Sequence, residues 1–323
     1  MKKKMKNAVI TSFLGKTKDR FHEYNEGKTL EEKFEMISEM NYIDGVEVVF
    51  PYEVNDPVKL KQLKEKYKVN IAAINVNVKA EPEFLNGGLT SSKKEVREKA
   101  VQFIKDAKYF AREVNADKVT CCPLGDGYEF AFQADYTKTW EYLVETFKEA
   151  GSYLKEIPLF IEYKPSETRG RCFVDTASKT LCLLNKINVK GMGVTVDFGH
   201  SIYGDENPAE VVALLAENNT PYYIHINDNN GKWDWDYFVG SKHILSYIEF
   251  IYYLKRYDYS DYLTSDTSPT RWDIKRTFEN NGELTNRIYN KLEEIDIGKL
   301  KKQMRRDEYL DTWEFICENF FGF

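Results

Sequence analysis

The sequence predicts an α/β fold, a closed (β/α)8 TIM barrel with a C-terminal helical extension. Short β-rich runs alternate with amphipathic helical ones, the pattern of a parallel sheet covered by helices. There are eight such runs in one chain, the number that closes a barrel. Acidic residues and histidines also stand at the C-terminal ends of four successive runs, and in a barrel those ends converge on one mouth. The alternative, an open doubly wound sheet, calls for a Gly-rich phosphate loop after the first strand, and the sequence has none there.

The first strand is AVITSF from Ala8. The helical stretch TLEEKFEMISEM (29–40) follows and places Leu30, Phe34, Ile37 and Met40 on one face. GVEVVF from Gly45 and NIAAINV from Asn70 are the second and third strands. SSKKEVREKAVQFIKDAKYFAREV (91–114) is a long helix expected to start at a serine cap. DKVTCC from Asp117 is the fourth strand; its adjacent Cys121 and Cys122 read as packing residues, since free cysteine behaves as a small hydrophobe. LFIEY from Leu159 and GVTVDF from Gly193 are the fifth and sixth. NPAEVVALLAE (207–217) is a helix with Asn207 as cap and Pro208 at the first helical position. YYIHIN from Tyr222 and DYLTSD from Asp261 complete the eight. Residues 1–285 are expected to form the catalytic barrel. Residues 286–323, aromatic-rich and ending WEFICENFFGF, are expected to form a helical tail packed on the barrel or a neighbouring subunit.

Composition narrows the function. The 323 residues, 42% hydrophobic, suffice for one large domain or two ordinary ones. Charges of both signs are mixed and the formal net charge is −6, which argues against nucleic acid as a partner. No segment is apolar and long enough to span a bilayer. The basic start MKKK leads into an apolar run broken by Thr11 and Ser12, too short and weak for a signal peptide. Five cysteines without a framework spacing fit a reducing compartment, so the expected location is cytoplasmic.

The chemistry lies at the strand ends. Strand five ends in Glu162 and runs into the charged stretch IEYKPSETRGR (161–171), which a strand interior could not hold but a barrel mouth can. Strand six ends VDFGH, giving Asp197 and His200. Strand seven carries His225, and the loop after it, WDWD, carries Asp234 and Asp236. Strand eight ends in Asp266. Taken singly, each has an ordinary explanation: an Asp after a strand caps a helix, a lone His is a satisfied core residue, Lys164 is a solvated loop lysine. Together they crowd one mouth, where carboxylates raise one another's pKa unless a cation is present. Mixed oxygen and nitrogen donors suit Mg, Mn, Co or Zn. Seven ligands divide into a ring of Glu162, Asp197, His225 and Asp266, and a second set of His200, Asp234 and Asp236, with Asp197 as a bridge.

These residues resemble the xylose isomerase family. Glu162, Lys164, Pro165, Glu167, Arg169 and Gly170 match its pattern E-P-K-P-N-E-P-R-G; the G-H motif, the H-x-N-D strand, the paired aspartates, DTSPTRWD (266–273) and NGGLTSSKKEVREKA (86–100) are similar too. Strands six and seven are nearer rhamnose isomerase, where Asp and His replace acids of the xylose enzyme. The resemblance implies an aldose–ketose isomerase in which two metals bind neighbouring oxygens of an open-chain sugar while hydride shifts between C1 and C2. It implies two divalent ions per chain, Mn2+ first, with Co2+, Mg2+ or Zn2+ as alternatives, and a homodimer or homotetramer. It also implies that Lys164 donates to the C1 oxygen, that Asp234 and Asp236 hold the second metal and position its water, and that His200 shares that site. Two departures stand out. Val49 occupies the position of the family's ring-opening histidine, and the strand-four tryptophan is missing near Cys121 and Cys122. A single-metal epimerase or lyase working by proton abstraction next to a carbonyl remains open, as does a non-catalytic sugar-binding barrel.

Overall fold

The computed structural model describes residues 5–167, 169–304 and 307–323; the basic start 1–4, Thr168 in the charged stretch, and Arg305 and Arg306 in the tail lie outside them. Eight parallel strands close into a barrel: β1 (Lys6–Ile10), β2 (Gly45–Phe50), β3 (Asn70–Val76), β4 (Val119–Cys121), β5 (Leu159–Glu162), β6 (Gly193–Asp197), β7 (Tyr222–Ile226) and β8 (Tyr262–Ser265). Neighbours in sequence are neighbours in space, and the ring is sealed by β8 against β1, with Lys6 opposite Tyr262. All eight expected strands are present. The first ends sooner than AVITSF suggests, because Thr11–Phe13 winds into a 3-10 turn.

The helices are α1 (Leu30–Ser38), α2 (Pro57–Tyr67), α3 (Lys94–Glu113), α4 (Tyr136–Ser152), α5 (Ala177–Ile187), a short α6 (Phe198–Tyr203), α7 (Pro208–Glu217), α8 (Ile244–Arg256) and α9 (Ile274–Glu294). Two further helices, α10 (Ile297–Gln303) and α11 (Tyr309–Ile316), and a last π-helical turn, Cys317–Phe321, form the tail. Helix α9 runs straight through residues 285 and 286, so the departure from the barrel comes after Glu294. Local chemistry sets the starts. Thr29 and Glu32 make a reciprocal capping box on α1. Asn207 accepts from the amides of Ala209 and Glu210 ahead of Pro208 in α7. The serine cap expected for α3 is not formed. That helix begins at Lys94 after an uncapped Lys93, and the Ser91 hydroxyl accepts the Lys93 amide instead.

Because successive strand residues face opposite sides, each strand sends one set to the helices and one into the barrel. Phe34, Phe147, Phe198, Phe250 and Phe278 are fully buried in the outer layer, each contributing about 1.5–3 kcal/mol of burial. Cys121 belongs to this apolar layer and Cys122 is buried, and neither is bonded to another cysteine. The inner face differs. Phe160, Tyr223, Ala73 and Tyr262 pack together at one level. One step up, Glu47, Thr120, Thr195, His225 and Thr264 are wholly buried and polar. A barrel interior is usually branched and aliphatic; a polar layer here leads directly to the mouth. Among the described residues no helix is long and apolar enough to cross a membrane.

Candidate functional site

Glu162, the last residue of β5, is 2% exposed. Asp197 ends β6, His225 lies inside β7, and Asp266 follows β8. Each of these four offers a ligand atom within 4.8 Å of the others. A second group with the same closeness is Asp197, His200 and Asp234. The two groups therefore share Asp197. Asp236 stands outside the second group; its backbone turns left-handed at φ 50°, and its carbonyl accepts the Ser268 amide.

Asp197 does two jobs. Its Oδ1 caps α6 by accepting the His200 amide at 2.7 Å, and Asn227 donates to both its oxygens. The cap starts a turn of helix that swings His200 beneath the mouth. The glycine of the G-H motif is required by this packing: Gly199 donates its amide to Asn227 Oδ1 at 2.8 Å, and a Cβ would lie 2.2 Å from that oxygen. His200 Nδ1 is 2.9 Å from the Tyr163 carbonyl, an atom that only accepts. Nδ1 therefore carries a proton, and in the neutral ring the lone pair is on Nε2, 3.1 Å from Asp234 Oδ2. The Tyr163 hydroxyl in turn lies 2.6 Å from Ser201 Oγ, holding strand end and helix together.

Lys164 pairs with Asp234 at 2.8 Å and Glu167 at 2.9 Å. Burial works against its charge, but Asp234, Glu167 and Asp236 hold its pKa well above the ordinary value. Arg169 reaches Glu129 in the neighbouring loop, and Arg171 reaches Asp175, so the remaining charges of 161–171 brace loops. NGGLTSS is also held at the mouth: Asp126 accepts from the amides of Gly88, Leu89 and Thr90.

The electrostatics are those of a crowded acidic site. Burial, with Asp266, Asp234 and Glu162 nearby, raises Asp197 to about 7 against the opposing pull of His200. Asp236 is pushed well up by burial and by Asp234 and Asp266. Burial opposes ionisation of Glu162 and Asp234 too, but His225 and His200 hold Glu162 below its usual value, and His200 and Lys164 do so for Asp234. Burial also opposes charging of His200, yet Asp197 and Asp234 raise it to about 9. Two buried atoms, His225 Nδ1 and Asp234 Oδ1, find no hydrogen-bond partner among the described residues. One sits in each group. Unpartnered buried donor atoms beside mutually repelling carboxylates fit a divalent cation in each place.

One residue of the site does not stand at a strand end. Glu47 is the third residue of β2, fully buried between outward-facing Val46 and Val48, and its Oε2 lies 3.1 Å from His225 Nε2. Its presence mid-strand was itself the available signal, because a buried carboxylate needs partners.

Residues 34–285 match the family model described as xylose isomerase-like TIM barrel. The chain is 21% identical to the xylose isomerase of Thermus thermophilus over 192 residues, 58% of this chain and 50% of that protein. It thus spans about half the length of the xylose isomerases it matches. It is 26% identical to an uncharacterized protein of Methanocaldococcus jannaschii over 260 residues, 77% of this chain and 82% of the other. Among solved structures, a D-tagatose 3-epimerase-like protein superposes with a TM-score of 0.69 at 24% identity, covering 89% of this chain and 99% of that one. An L-ribulose 3-epimerase superposes with a TM-score of 0.67 at 12% identity, covering 94% and 98%. At these identities the likeness is one of fold. The family match covers most of the barrel, and the chain belongs to the xylose isomerase-like TIM barrel family.

Proposed function

We propose that the chain is a divalent-metal-dependent aldose–ketose isomerase acting on an open-chain sugar. The observation that carries this reading is the pair of ligand groups sharing Asp197, with the Lys164 ammonium 2.8 Å from the second group's Asp234. Glu162, Asp197, His225 and Asp266 would hold one ion, and Asp197, His200 and Asp234, with Asp236 close by, the other. Bound there, the ions supply Lewis acidity toward a carbonyl and its neighbouring hydroxyl. The reaction moves a hydrogen between C1 and C2 and a proton between the attached oxygens. Lys164 donates to the oxygen on which negative charge grows, in a site where burial strengthens that interaction. His200 is fixed by the Tyr163 carbonyl so that Nε2, not Nδ1, faces Asp234 and the mouth. Asp236, set among Asp234 and Asp266, is placed to take and return the hydroxyl proton.

A second reading has an observation of its own. Lys164 already neutralises Asp234, and Asp236 stands outside the second group, an arrangement that needs only one ion. On that reading the chain is a single-metal sugar epimerase or lyase that takes a proton from carbon. The names of the structural neighbours, several of them 3-epimerases, are compatible with it.

The test is a panel of aldoses and ketoses incubated in D2O with Mn2+, Co2+ or Mg2+ and resolved by chromatography. Isomerisation by hydride shift yields a product with little deuterium on carbon, from a protein holding two ions per chain. Stoichiometric deuterium at the reacting carbon, with one ion per chain, decides for the epimerase or lyase.

A further inference from the structure

Among the described residues the Glu47 carboxylate makes three polar contacts, and all are directional. Oε1 accepts from Asn75 Nδ2 at 3.0 Å on β3 and from Thr120 Oγ1 at 2.6 Å on β4. Oε2 faces His225 Nε2 at 3.1 Å. On the other side of the imidazole, Nδ1 stands 3.5 Å from Glu162 Oε1 and 3.5 Å from Asp266 Oδ2, with no hydrogen bond of its own among the described residues. A carboxylate only accepts, so in the neutral ring the proton lies on Nε2 and the lone pair on Nδ1. We propose that Glu47 is a positioning residue that selects the tautomer of His225, so that Nδ1 is the atom presented to a divalent cation between Glu162 and Asp266. Such an outer partner fixes ring orientation and donor identity together. The inference rests on the metal reading of that group given above.

The three strands make a sharp test possible. In Glu47→Gln the Asn75 amide still donates toward the Oε1 position and draws the glutamine oxygen there. The glutamine NH2 then faces His225 Nε2, which must accept, and the proton moves to Nδ1, where the cation needs a lone pair. Adding Asn75→Asp reverses this. An aspartate at 75 accepts the glutamine NH2, the amide turns over, and its oxygen again accepts from Nε2–H. The double variant has the formal charge of the wild type.

Calorimetric titration with Mn2+ is expected to show affinity about 10–100-fold weaker in Glu47→Gln, and largely restored in Glu47→Gln/Asn75→Asp. Circular dichroism checks that both are folded. As a variant-free measure, nitrogen-15 NMR of the Zn2+-loaded wild type should place the His225 ring proton on Nε2. Wild-type affinity in folded Glu47→Gln, failure of Asn75→Asp to restore binding in a folded double variant, or a ring proton on Nδ1 would each overturn the proposal and leave the metal site standing. No Mn2+ bound by the wild type would remove the metal reading and this inference with it.

Discussion

Lys164 brings its charge into a space that already holds Asp234 and Glu167, and it pairs with both. On the isomerase reading, a lysine so placed would donate to one oxygen of the substrate. Lys164→Met is expected to keep metal content unchanged and to slow turnover by about 10²–10³, the usual cost of losing one donor to a developing oxyanion. Metal analysis and kcat measured on the same preparation check both halves. Asp234→Asn acts differently, since it strips the second group of a charged ligand that also meets His200. One ion per chain, not two, is expected by elemental analysis, and two retained ions would return the site to the single-metal reading. Most of the candidate site was legible at the strand ends, because charged side chains there break an apolar run. Glu47 was not. Its partners Asn75, Thr120 and His225 come from three other strands, and no spacing along the chain relates them. Asp236 was readable as a residue but not in its placement, which depends on one left-handed backbone turn.

Among the elements, α3 and α4 are joined by an unusual device. Lys108 on α3 is fully buried and donates to the carbonyls of Ala150 and Gly151 in the last turn of α4. A cation is favourable at those unsatisfied carbonyls, yet burial lowers its pKa from 10.5 to about 8. Between those values the unfolded chain binds the proton and the folded one does not. Stability from this group is therefore highest above the unfolded pKa and is lost as pH falls through about 8. The difference is on the order of 3 kcal/mol. Urea unfolding of wild type and Lys108→Met at pH 7.5 and 10 should show the wild type gaining relative to the variant at the higher pH. A constant difference would sink the assignment. The barrel strands were legible because each alternates an apolar outer set with a distinct inner one. The two-residue ribbons, Thr17–Lys18 with Glu23–Tyr24 and Gly127–Tyr128 with Arg171–Cys172, were not, since so short a strand has no period. The helix cap at Asn207 could be read locally, but Ser91 could not, because the loop before α3 is held by Asp126 from the next mouth loop.

For the molecule as a whole, carboxylates crowded at the mouth work against folding, and a divalent cation held there would offset that cost. Mn2+ at about 100 times its Kd should stabilise the folded chain by about 2.7 kcal/mol, a rise in Tm on the order of 5 °C. Chelation should reverse that shift and abolish activity. Differential scanning calorimetry with and without EDTA checks it, and an unchanged melting curve would contradict a metal bound at this mouth. The barrel class was legible because eight repeating units admit few closed arrangements. The course of the tail after Glu294 was not, since α10 and α11 line a cleft with residues of α7, α8 and α9 that no spacing along the chain relates to them.

Sealing the ring with the first and last strands also fixes an order of events during synthesis. The Met5 amide is held by Asn286, 281 residues later, and β1 pairs with β8. At about 5–20 residues per second, the N-terminal strand waits roughly 13–51 s on the ribosome before its second partner exists. For that interval the growing sheet has two open edges, each able to pair with a neighbouring nascent chain. The strand that closes those edges also delivers Asp266, the last carboxylate of the first ligand group. A nascent chain therefore cannot complete that group before its edges are gone, and a cation captured there would mark a finished barrel.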